Sequence, residues 1–104
     1  MLITTTPEIP GKNIELLGMV QGSTVRAKHV GKDILAGFKS LAGGEITAYT
    51  QLMYEARGIA TERMIDHARQ MNADAIVAAR YQSCSVMDGS SEIMAFGTAV
   101  KYVQ

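Results

Sequence analysis

The sequence predicts an α+β fold: a ββααββ-like subunit with a small, mostly antiparallel sheet and one long helix. Three observations carry that prediction. Apolar residues recur at helical spacing from Ile46 to about Asn72, the flanking segments alternate with a period of two, and "DGSS" at 88–91 splits the C-terminal stretch into a hairpin.

The opening "MLITTT" is short, β-branched and stopped by Pro7, so it reads as a strand followed by a turn through Pro10 and Gly11. In "NIELLGMVQGSTVRA" the apolar residues Ile14, Leu16 and Val20 alternate with Glu15 and Gln21, and then the phase slips to Val25 and Ala27. A glycine at a change of parity is what a bulge or bend requires. Gly22 therefore predicts either a bulged strand or two strands joined by a turn.

"HVGKDILAGFKSLAGGE" carries Val30, Ile34, Phe38 and Leu41 at helical spacing, weakened by Gly31 and Gly37 and ended by Gly43-Gly44. The long helix follows. Tyr49, Leu52, Met53, Ala56, Ile59, Ala60, Met64, Ala68 and Met71 form its apolar face. Glu45 stands in the first turn, where the dipole favours a negative charge, and Gly58 allows a kink or close packing.

"ADAIVAARYQSCSVM" and "SEIMAFGTAVKYV" read as two strands that are apolar on both faces. Strict alternation points Ile76 and Ala78 one way and Val77 and Ala79 the other. In the last strand Met94, Phe96, Val100 and Tyr102 oppose Ile93, Ala95, Gly97, Ala99 and Val103. Such a strand needs cover on each side. The helices cover one, and a second copy of the chain is the simplest cover for the other. The number of copies does not follow from the pattern.

The length suits one domain spanning 1–104. Ten basic and ten acidic residues cancel, which argues against a nucleic-acid partner. No apolar run approaches the roughly 18 residues of a membrane span, and the start lacks the features of a signal peptide. The single cysteine cannot form an internal disulfide, which suits the cytoplasm.

Cys84, with Met87 and Met94 nearby, raises the chemistry of a soft-metal ligand. No CxxC or HxxxH accompanies it, and the plainer reading is a small buried residue. A three-residue turn would set Met94 opposite Cys84, whereas two or four residues would not. Arg80, Gln82 and Cys84 share a face by alternation, so Arg80 is a candidate to activate the thiol. Met64, His67 and Met71 lie along one helical ridge and could ligate copper, although core packing with His67 at its edge explains them better. His29 has no partner in sequence. "GFKSLAGGE" does not fit GxxxxGK[ST], the serines lack a GxSxG context, and Glu62 with Asp66 reads as a solvated helix face. Nothing in these residues calls for an enzyme.

The chain resembles the YbjQ-like family of small bacterial proteins, which carries the label "putative heavy-metal-binding". The likeness runs through "ITTTPEIPGKNI", "AGFKSLAGGEITAYTQLMYEAR", "MNADAIVAARY" and "FGTAVK" in order. It implies a dodecin-like subunit assembled as a ring, usually a pentamer, and no settled reaction. The strand "ARYQSCSVM" departs from the family pattern in lacking a carboxylate, which weighs against a hard cation. The expectation is a cytoplasmic homopentamer with a soft metal ion or small ligand at a multi-subunit site, Cys84, Met94 and His67 being the candidate ligands. The alternative is a structural or protein-interaction ring with no ligand of its own.

Overall fold

The computed structural model describes residues 1–27, 44–87 and 90–104. The expected weak helix, His29 and the glycine-rich run up to Gly43 lie outside them, as do Asp88 and Gly89. Along the described chain come β1 (Leu2–Ile3), β2 (Asn13–Ala27), α1 (Gly44–Gln70), β3 (Ala75–Met87) and β4 (Ser90–Val103). The strands form one mixed sheet in the order β1-β3-β4-β2. β4 pairs antiparallel with both β2 and β3, and β1 adds parallel to β3.

The helix lies on one face of this sheet through the stripe Ala56, Ala60, Met64 and Ala68, all buried against Val20, Ile76, Ile93, Ala95 and Ala99. The three alanines of the stripe, with Gly22 on the sheet, let the two backbones come close. The approach is tightest at Gly22. A Cβ there would collide with the amide nitrogen of Met64, with the Ala60 carbonyl oxygen at 2.5 Å and with Arg63 Cβ at 2.6 Å. Gly22 thus serves packing. β2 runs straight through it, and the expected bulge or turn at this residue is not there. The register shift falls earlier, between Leu16 and Gly18. It turns Ile14 and Leu16 to the far face while Val20, Gly22 and Thr24 face the helix, which is why the apolar parity changes.

A second bulge corrects the alternation expected in β3. Val77 pairs with Thr98 and Arg80 with Phe96, so Ala78 and Ala79 together oppose Gly97. Ala78 takes a φ of 53°, in the left-handed region. Ile76 and Ala79 then share the helix face, while Ala75 and Val77 join Val100, Ile9, Ile14 and Tyr102 on the other. The amides freed by the bulge do not go unpaired: Ala78 donates to the Thr6 carbonyl and Ala79 to that of Thr4, both at 2.9 Å.

At its C-terminus α1 ends in a Schellman turn. Ala73 N–H donates to Ala68 O at 3.1 Å and Asn72 N–H to Arg69 O at 3.0 Å, with Asn72 at φ 59°. Asp74 then locks the turn to β4, its Oδ2 accepting from the Tyr102 amide at 2.8 Å and its Oδ1 lying 3.6 Å from Lys101 Nζ.

Candidate functional site

The face of the sheet away from α1 is a grid whose rows are set by the two registers. Across β2, β4 and β3 the rows read Gln21–Phe96–Arg80, Ser23–Met94–Gln82 and Val25–Glu92–Cys84. Below them stand Met19–Thr98–Val77 and Leu16–Val100–Ala75. The N-terminal segment covers only the base of the grid, through Ile9. Leu16 is 70 % exposed, Met19 68 % and Val25 56 %, with Met94 and Phe96 half-buried between them. These large apolar groups lie together on the face of the sheet away from α1.

Cys84 lies in the top row, and it is exposed, so the expectation of a small buried thiol does not hold for the single chain. Met87 pairs with Ser90, and a register shift between Ser85 and Met87 follows. That places Glu92, not Met94, directly opposite. The Cys84 thiol points to Glu92 Oε1 at 3.8 Å, a long contact suited to sulfur. Met94 is one row down on the same face, opposite Gln82. The hairpin therefore offers a thiol and a carboxylate across one rung, with a thioether diagonal to them. Glu92 escaped the sequence reading because its place depends on the hairpin register, which composition does not specify.

His67 is elsewhere. It projects from α1 at the outer edge of β2, where its Nδ1 accepts a hydrogen bond from the Gln21 amide at 3.2 Å. Cys84 is two strands away and on the opposite face. Met64, the first member of the expected ridge, is buried in the core, and the Met71 Cε packs 3.3 Å from where a Gly18 Cβ would stand. Arg80 NH1 is engaged with the carbonyls of Thr5 and Ala79, each at 2.9 Å. Asp66 pairs with Arg69 at 3.4 Å rather than with Glu62. An open concavity on the outer side of α1, lined by Glu55, Gly58, Ile59, Glu62 and Arg63, holds no convergent donor set.

Among the described residues no three His, Cys, Asp or Glu side chains gather closely enough to hold a metal ion. A tetrahedral soft-metal site needs about four donors. One chain supplies Cys84 and Glu92 with Met94 beside them, an incomplete but chemically apt set.

Fold and site together define a small α+β protein whose sheet is covered on one face and open, with a thiol, on the other. The chain belongs to the YbjQ-like family, whose model, described as "Putative heavy-metal-binding", matches residues 1–103. It is similar to a UPF0145 protein of Vibrio parahaemolyticus, 56 % identical over 105 residues with all of both chains covered. A UPF0145 protein of Thermosipho africanus is 59 % identical over 102 residues, covering 97 % of this chain and 94 % of the relative. In structure the chain is similar to a protein of unknown function from Pediococcus pentosaceus, in the DUF74 family. The TM-score is 0.70 with 16 % identity, over 99 % of this chain and 98 % of that one. At that identity the likeness shows the fold. Among the described residues no helix is long and apolar enough to cross a membrane.

Proposed function

We propose that the protein is a homo-oligomeric ring, a pentamer of dodecin-like subunits, that binds a soft metal ion at a site built from several subunits. The open apolar face carries this reading, and the total surface supports it. The chain exposes 6890 Å², whereas a compact monomer of its 11.2 kDa exposes about 5,700 Å². The excess, roughly 1,200 Å², exceeds the ~800 Å² that each partner gives to a standard interface. Burying what Leu16, Met19 and Val25 still expose would contribute roughly 1–2 kcal/mol apiece before the entropy of association.

Assembly also multiplies ligands. Each copy brings one thiol, a soft metal ligand, with Glu92 across the rung able to supply an oxygen donor. Two or more copies around an axis reach the donor count that one lacks, with Met94 as a further soft neighbour. His67 stands outside this set. We place the protein in the cytoplasm, where a lone exposed thiol stays reduced.

Native mass spectrometry at micromolar concentration is expected to give a pentamer, and a stable monomer would end the proposal. Purified protein mixed with Zn(II) or Cu(I) under reducing conditions is expected to retain stoichiometric metal that Cys84→Ser loses. Equal, negligible metal in both would leave a ring serving structure or protein interaction.

A further inference from the structure

The two long edges of the sheet are finished differently. On β2 the outward amide of Gln21 is taken by His67 and the outward carbonyl of Ser23 accepts from Arg63 NH1 at 2.6 Å. Those side chains are one helical turn apart on α1 and obstruct the middle of that edge, at Gln21 and Ser23, to another strand. On β3, β1 pairs only with Ala75 and Ile76, and Thr4 and Thr6 cover Ala79 and Ala78. Beyond Ala79, no described strand lies on that side.

From Arg80 to Ser85 every side chain is exposed, and Tyr81 to Ser85 carries no charge, proline or bulge. These are the features by which protein edges ordinarily avoid pairing, and their absence leaves a template for strand addition. Because Ala79 N–H points away from β4, alternation sends the amides of Tyr81, Ser83 and Ser85 the same way, while those of Gln82 and Cys84 turn toward β4.

We infer that the outer edge of β3, from Tyr81 to Ser85, is the seam along which a strand of a second copy of this chain adds to the sheet. This rests on the oligomeric reading above and says where the copies join. The occupant is a second copy because the chain as a whole exposes about 1,200 Å² more than a compact monomer of its mass, an area of interface size. The molecule measures 59 × 24 × 17 Å with a radius of gyration of 17.1 Å, where about 13 Å is expected for a compact chain of this length. An uncharged edge also meets its own kind without repulsion. Such a seam runs directly beside Cys84 and brings a neighbouring subunit to the thiol.

Hydrogen exchange on the wild-type protein, with residue-level fragmentation, tests the seam alongside native mass spectrometry. The amides of Tyr81, Ser83 and Ser85 are expected to exchange as slowly as those of Gln82 and Cys84, on the order of 100-fold or more slower than free amides. Ser83→Pro removes an outward donor and leaves the β4 ladder intact, so it is expected to reduce the subunit number with the circular dichroism unchanged. An oligomeric wild type whose outward amides exchange at free rates overturns the seam and leaves oligomerisation standing. A monomeric wild type overturns oligomerisation itself.

Discussion

Gly22→Ala tests the close approach of α1 to β2 most directly. The added methyl group would sit 2.5 Å from the Ala60 carbonyl oxygen, about 0.9 Å inside the 3.4 Å at which ordinary contact begins. The obstruction is helix backbone, so no side-chain rotation relieves it. Either α1 lifts from the sheet, loosening Ala56, Ala60 and Met64, or β2 bends. Overpacking of this kind costs about 1–3 kcal/mol, and a rigid obstruction belongs at the upper end. Alanine recovers roughly 0.5–1 kcal/mol of backbone entropy relative to glycine. The net expectation is a loss of about 2 kcal/mol. Urea unfolding at fixed protein concentration, followed by circular dichroism, should show the midpoint lowered by roughly 1–2 M. Gly58→Ala is the control. It is exposed in mid-helix with nothing within 4 Å of its would-be Cβ, so it should stabilise by about 0.5–1 kcal/mol. A Gly22→Ala midpoint indistinguishable from wild type would refute the close-packing account.

Asn72→Val should cost about 1–2 kcal/mol, because a β-branched residue resists the φ of 59° that ends α1, whereas Asn72→Gly should stay within a few tenths; thermal melts separate the two. His67→Ala leaves the Gln21 amide without its partner and is expected to cost about 0.5–1.5 kcal/mol, with Gln21 exchanging its amide proton faster. If that amide remains as protected as before, the edge is closed by something other than His67.

Much of the fold was legible in the residues. The helical stripe from Ala56 to Ala68, the two strands of the C-terminal hairpin and the two-faced character of β4 are local periodicities, and local periodicity survives folding. What misled was any inference about which face a residue takes beyond an irregularity. Gly22 looked like the site of a bulge because glycine marks bulges, yet its missing side chain answers to Met64 and Ala60, some 40 residues away. Ala78 looked like an ordinary strand residue, and nothing in "IVAAR" announces the bulge that the Thr4 and Thr6 carbonyls hold in place.

The same divide runs through the candidate site. Cys84 announced itself as the one soft nucleophile of the chain, and its share of a face with Arg80 and Gln82 followed from alternation. Only the paired strands decided that Glu92 stands opposite the thiol, that Met94 is a row away and that His67 belongs to the other edge. The sequence by itself determined the elements, the apolar stripe and the surplus of apolar strand faces, because these depend on neighbours in the chain. The tertiary structure decided which face stays open, which edge is closed and what meets Cys84, because register and helix approach depend on contacts between residues far apart in sequence.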